Sequence, residues 1–144
     1  MPNQVRWKTP DSPTTVLNTE MNTLGNNTLS AAGTDYDNSS TKHMYADFEL
    51  ILGSLAPAAG GYISLYLAEA PDGSNFSDVK RESFPQLLGS FPLDTASAAK
   101  RQVIRNIMLP PTHFKVYVDN QAGVSLAGSG ANYVKMYPYD PEIQ

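Results

Sequence analysis

Two runs of alternating side chains between Met44 and Leu67 constrain this chain more than any other feature. In the first, Met44, Ala46, Phe48, Leu50 and Leu52 share one parity while Tyr45, Asp47 and Glu49 take the other. In the second, Ile63, Leu65 and Leu67 oppose Tyr62, Ser64 and Tyr66. A period of two puts each set on one side of an extended backbone, so both runs read as half-buried β-strands. The connector Ala56-Pro57-Ala58-Ala59-Gly60-Gly61 reads as the turn of an opening hairpin.

Strand signals then recur at short spacing. Ala70-Pro71-Asp72-Gly73-Ser74-Asn75 is a concentrated turn signal. Residues 83–93 are apolar but broken by Pro85 and Pro92, which suits irregular structure or an edge strand. Arg101 to Leu109 reads as a strand, with a helical turn over Ala96 to Lys100 as an option before it, and Pro110-Pro111 stops it. His113 to Asp119 alternates with Phe114, Val116 and Val118 on one face. Val124 to Ala127 and Tyr133 to Tyr137 supply a last pair. Many short strands with Gly and Pro turns predict an all-β fold, an antiparallel β-sandwich or jelly roll, over residues 44–137.

Residues 1–43 lack that pattern. Thr, Asn, Ser and Gly dominate, and the apolar side chains are too sparse for the segment to fold alone, so it is expected to be an extended N-terminal arm. Leu17, Met21 and Leu24 follow i, i+4, i+7 spacing and Gly25 stands where a helix would end, which predicts one or two helical turns. The sole tryptophan, Trp7, sits in Val5-Arg6-Trp7-Lys8, whose alternation predicts a short strand. It is either a core plug or an anchor in a neighbouring subunit. Residues 138–144, with two prolines, read as an extended C-terminal tail unable to continue a strand.

At 144 residues the chain suits a single core. Charged residues make up 17%, well under the usual share, and the difference is made up by small polar residues and proline, which suits neutral contacts with other proteins. A net charge of −4 argues against a nucleic-acid partner. No apolar stretch is long enough to span a membrane, and the start Met1-Pro2-Asn3-Gln4 lacks the regions of a signal peptide, so the chain is expected to be made and kept in a cytoplasm, or released by lysis. Zero cysteines exclude disulfides, thiolate metal sites and thiol nucleophiles.

No cluster of residues announces a reaction. His43 and His113 each precede or begin a strand, with no nucleophile placed beside either by the sequence. Asp35, Asp37 and Asn38, and the looser set from Asp72 to Asp78, offer oxygen ligands, but neither fits the calcium loop and both read as turn residues. Gly60-Gly61 and Gly128-Ser129-Gly130 lead into no helix and read as hairpin glycines. No cofactor, metal site or catalytic residue is expected, and the protein is read as non-enzymatic.

Among eight tyrosines, Tyr45, Tyr62 and Tyr66 take the polar parity of their strands, and Tyr117 lies opposite the Phe114, Val116 and Val118 face. If that parity is outward, they form an aromatic sheet surface suited to subunit contacts or to stacking on sugar rings. If both faces are covered, they simply pack. Expected protein-interface residues are thus Trp7, Leu17, Met21, Leu24, Tyr45, Tyr62, Tyr66 and Tyr117.

The order of a polar arm, Tyr45-Ala46-Asp47-Phe48-Glu49-Leu50, Pro57-Ala58-Ala59-Gly60-Gly61-Tyr62-Ile63-Ser64-Leu65-Tyr66-Leu67, Asp72-Gly73-Ser74-Asn75-Phe76 and Leu109-Pro110-Pro111-Thr112-His113-Phe114-Lys115-Val116 resembles small virion proteins of tailed bacteriophages. The resemblance implies a capsid decoration or cement protein that stabilises a head lattice, partnered by a major capsid protein or another virion protein. It also implies a homo-oligomer, commonly a trimer, with arms laid over neighbouring capsomers, located in the virion after assembly in the host cytoplasm. It transfers no site residues. Alternatives are a tail, collar or baseplate component and, from another class, a carbohydrate-binding adhesion module using Tyr62 and Tyr66. The arm reading predicts that deleting the residues before Asp35 leaves a folded body that no longer attaches.

Overall fold

A computed structural model describes residues 4–79, 86–128 and 130–143. The strands are β1 (Val5–Trp7), β2 (Thr14–Leu17), β3 (Thr28–Leu29), β4 (Tyr36–Asp37), β5 (Tyr45–Leu55), β6 (Tyr62–Ala70), β7 (Leu87–Pro92), β8 (Ala98–Met108), β9 (His113–Gln121), β10 (Tyr133–Tyr139) and β11 (Pro141–Ile143). A 3-10 turn, Thr19–Met21, and a short helix, α1 (Asn38–Thr41), accompany them among the described residues. One sheet has the order β2-β10-β5-β8 and the other β3-β9-β6-β7, with β4 also pairing β9. All strand pairings among the described residues are antiparallel. This is a jelly roll: from β2 onward the chain changes sheet at most connections, and each sheet interleaves early strands with late ones.

The alternation predicts the core-facing set apart from Met44, which precedes β5 and is 48% exposed, and it does not predict that Glu49, Ser64 and Tyr66 on the opposite parity are buried as well. Ala46, Phe48, Leu50 and Leu52 of β5 face Ile63, Leu65 and Leu67 of β6 across the core, joined by Phe114, Val116 and Val118 of β9 and by Val134 and Met136 of β10. The hairpin expected between the two runs does not form. β5 and β6 lie in different sheets, so residues 56–61 carry the chain across the end of the sandwich. Both strands are apolar on one face, and stacking those faces buries both sets, whereas pairing them edge to edge would bury neither.

The larger correction concerns residues 1–43. From Thr14 onward they do not extend away from the body. β2 is an edge strand of the first sheet, and β3 and β4 line the β9 edge of the second. Val16, Leu17 and Met21 are fully buried in the core. Between the sheets, the Gly33 N–H donates to the Val116 carbonyl at 2.9 Å and the Thr34 N–H to the Val16 carbonyl at 3.0 Å. A side chain at Gly33 would collide with the Val16 carbonyl at 2.1 Å, so this crossing admits only glycine. The polar residues that hid this role serve as partners. Ser30 accepts the Val118 N–H through its hydroxyl, and the Asn120 amide donates to the Leu24 carbonyl at 2.9 Å. Deleting the residues before Asp35 would therefore remove a side of the core, not an appendage.

Smaller differences follow from local geometry. The 3-10 turn replaces the longer helix, and the left-handed residue after it is Thr23, not Gly25. Ala98 to Lys100 begin β8 and form no helical turn, and Val124 to Ala127 form no strand. Of the two options for residues 83–93, irregular structure or an edge strand, residues 87–92 form the edge strand β7, paired among the described residues with β6; residues 83–85 and Ser129 lie outside the described set. β10 runs through Pro138 to Tyr139, against the expected stop. β2 reaches only as far as Met136, so β10 has an open side at Pro138, where proline is tolerated. The tail does not dangle either, because β11 pairs with β1, with Val5 opposite Ile143 and Trp7 opposite Pro141.

Candidate functional site

The outer face of the first sheet carries the densest arrangement of polar and aromatic groups. Register sets it. Glu49 of β5 lies between Val103 of β8 and Lys135 of β10, so its diagonal neighbours are Arg101, opposite Ile51, and Tyr137, opposite Asp47. The Arg101 Nε donates to one Glu49 carboxylate oxygen, and the Tyr137 hydroxyl donates to the other at 2.7 Å. Glu49 is 3% exposed although it points away from the core. Burial pushes its carboxyl upward, but the Tyr137 hydroxyl and the Arg101 guanidinium outweigh it and hold the group below its ordinary value. The same carboxylate raises Arg101 and Tyr137.

One strand turn away, β8 bulges. Residues 105–106 face Asp47 alone, between the pairs Ala46–Ile107 and Phe48–Ile104. Asn106 takes a left-handed φ of 58°, its N–H donates to Asp47 Oδ1 at 2.9 Å, and its side-chain carbonyl accepts the Tyr139 hydroxyl at 2.5 Å. Above Tyr139 stands Trp7, edge-on to it with ring centres 5.3 Å apart and edge-on to Tyr45 at 6.3 Å. Tyr45 and Tyr139 stack at 5.9 Å. Trp7 stays 64% exposed. It therefore roots the β1–β11 ribbon on the sheet and is not a core plug. Between Trp7 and Arg101 runs an open groove of about 720 Å³.

The other expected interface residues are scattered. Leu17 and Met21 are in the core and cannot meet a partner, and Leu24 packs half-buried against it. Tyr45 is on the first sheet's outer face, whereas Tyr62, Tyr66 and Tyr117 share that of the second, beside a shallow hollow of about 400 Å³. Tyr62 is 40% exposed, but Tyr66 is buried, so the two do not form a paired platform. That all four take the parity opposite the core side chains was legible in the sequence; that Tyr66 is nevertheless buried and that the four divide between two surfaces was not.

Both histidines are held between carboxylates. His43 Nδ1 lies 2.7 Å from Asp140 Oδ2 and its Nε2 lies 3.4 Å from Asp11. His113 meets Asp35 at 3.1 Å and Asp37 at 3.3 Å. Asp11, His43 and Asp140 bring three possible metal-ligand atoms within 4.8 Å of one another. Lys8 lies 3.6 Å from Asp11, and Asp140 also accepts the Met44 N–H at 2.6 Å. The arrangement is a chain of polar contacts that ties residues 8–11 to the start of β5. The two acidic turns are likewise occupied: Asp37 caps α1, and Asp72 accepts the Ser74 and Asn75 N–H groups.

Sequence reasoning did not single out Glu49, Arg101, Arg105, Tyr137 or Tyr139 as a group. The alternation Arg101, Val103, Arg105 within an expected strand was the available signal, but only the register brings it beside Glu49 and Tyr137. No family model matches the chain and no curated protein matches it. Among solved structures it is similar to the CBM36-1 domain of a multidomain xylanase from the hindgut metagenome of Trinervitermes trinervoides, at 14% identity across 92% of this chain and 97% of that one, with a TM-score of 0.46.

Proposed function

We propose that this chain is a non-enzymatic structural protein of a tailed-bacteriophage particle, a decoration protein that attaches to neighbouring virion subunits through the β1–β11 ribbon. The observation that carries the reading is the far end of that ribbon. Val5 and Ile143 face each other across it and are 72% and 71% exposed. Beyond Trp7 the two-stranded ribbon has no third strand among the described residues to steady it, and such pairs are marginal in water unless something covers their apolar face. Burying both side chains against a subunit contributes about 1.5–3 kcal/mol each. The low charge density suits such a contact, and the ordered resemblance to phage virion proteins supplies the context.

The bridging element differs from an extended arm, because residues 14–37 are used within the sheets. A homo-oligomer, trimeric as the resemblance implies, repeats the ribbon around an axis and gains from multivalency. The test is attachment of the purified full chain to particles stripped of it. Wild type is expected to rebind, and the double variant Val5→Asp, Ile143→Asp to lose at least tenfold in occupancy while melting at an unchanged temperature. Rebinding of that variant at full occupancy would reject the ribbon as the attachment surface, and absence of the chain from purified particles would reject the virion reading.

A further inference from the structure

We infer that the groove between Trp7 and Arg101 is a binding site for an anionic sugar chain, one whose rings carry carboxylate or sulfate groups. Nothing in the assembly reading requires this, and Val5 and Ile143 do not line the groove. Its form comes first. A trough of about 720 Å³ lying open along a sheet admits an extended chain, not an enclosed small metabolite.

Charge comes next. The chain as a whole is at −4, yet Arg101, Arg105 and Lys8, the last also paired with Asp11 at 3.6 Å, line this groove with Asp47 and Glu49 as its acidic lining residues. Glu49 is already satisfied by Arg101 and Tyr137, and it fixes the Arg101 guanidinium through Nε alone. The two terminal nitrogens of Arg101 make no hydrogen bond among the described residues, and the exposed Arg105 has neither a hydrogen bond nor an ion pair there. A guanidinium held from behind, with its outer edge free, is arranged to take a carboxylate or sulfate by two parallel hydrogen bonds. Arg101 and Arg105 point to the same side of β8, roughly 13 Å apart at four residues of strand rise. The groove thus offers two anion sites along one line, which suits a repeating polymer.

The uncharged chemistry narrows the class further. Trp7 is exposed yet braced edge-on by Tyr45 and Tyr139, so its ring offers a rigid apolar surface at little ordering cost. A pyranose presents a face of C–H bonds to such a ring and hydroxyls at its rim. The Asp47 carboxylate and the Asn106 amide lie within reach of those hydroxyls on the groove floor. An acidic peptide would also use the arginines, so poly-glutamate is the probe that separates the two ligand classes.

The experiment measures binding of the full chain by affinity electrophoresis and calorimetry, with polygalacturonate, dextran sulfate, dextran and poly-glutamate as probes. Retardation by polygalacturonate or dextran sulfate, with dextran and poly-glutamate inert, supports the site and tells carboxylate from sulfate. Arg101→Ala and Arg105→Ala are each expected to weaken binding at least tenfold, and Trp7→Phe to weaken it less than Trp7→Ala. Tyr62→Ala, on the other sheet, and Val5→Asp with Ile143→Asp should leave it unchanged, which separates this site from the attachment surface. Circular dichroism confirms that each variant is folded. Equal binding of poly-glutamate, equal binding of dextran, or no binding of either anionic polysaccharide at millimolar sugar overturns the inference.

Discussion

Replacing Leu17 by Ala tests whether the segment before β5 belongs to the core. Leu17 ends β2 opposite Val134, is fully buried, and packs so close to Gly33 that a Cβ there would come within 3.1 Å of the leucine Cγ. Large-to-small changes at such sites cost roughly 2–5 kcal/mol, through lost transfer energy and a residual cavity. β2 is an edge strand and can settle partly into the space, so about 3 kcal/mol is expected. That is a large part of the roughly 5–15 kcal/mol that stabilises a domain of this kind. In urea, with a slope of about 2 kcal/mol per molar, the unfolding midpoint should fall by about 1.5 M with the slope unchanged. Far-UV circular dichroism follows the transition without relying on Trp7. A loss under about 0.5 kcal/mol, the scale of an ordinary surface substitution, would mean that residues 14–21 stand outside the cooperative unit.

Four further outcomes follow from the same packing and hydrogen bonding. Gly33→Ala should destabilise the fold by more than about 1 kcal/mol, because its Cβ would meet two backbone carbonyls that cannot both yield; an unchanged melting temperature would refute the close crossing. Trp7→Ala should speed amide exchange at residues 5–7 and 141–143 while the body keeps its protection, since the ribbon is rooted by two aromatic contacts worth about 0.5–1.5 kcal/mol each; uniform loss of protection would show that the ribbon and body unfold together. Asp72 is held at about 2 by the Asn75 backbone N–H and side chain, and Asp37 at about 2 by the Ser39 and Ser40 hydroxyls, both below the ordinary 3.8. Their depressed values make the stabilisation complete above pH 3.8 and lost as pH falls through about 2, so Asp72→Asn should flatten part of the acid slope in denaturant midpoints between pH 5 and 2. Tyr137→Phe should cost about 1–3 kcal/mol by leaving a buried Glu49 oxygen without its donor, and a carboxyl NMR titration should show Glu49 moving upward.

Much of the core was legible because alternation reports burial directly. Phe48, Leu50, Ile63, Leu65, Phe114, Val116 and Val118 face inward as their parity predicts. Parity is silent about partners. It could not tell that β5 and β6 stack across the core, since a strand pattern looks the same whether the next strand lies beside it or opposite it. The first 43 residues misled for a related reason. β2, β3 and β4 are only two to four residues long, too short to display a period, and their hydrogen bonding is done by Ser30, Gly33 and other residues whose composition resembles disorder.

The groove divides in the same way. Trp7 and the alternation Arg101, Val103, Arg105 were present in the sequence, but Arg101 comes 52 residues after Glu49 and Tyr137 comes 88 after it. Their meeting depends on the register of β5 with β8 and β10, which the whole jelly roll sets by burying one face of each strand. The sequence by itself determined the all-β class, the inward face of β5, β6 and β9 and the absence of thiol chemistry. Only the tertiary structure decided which outward side chains became neighbours, because strand order and register are properties of the assembled core and leave no mark on the local pattern.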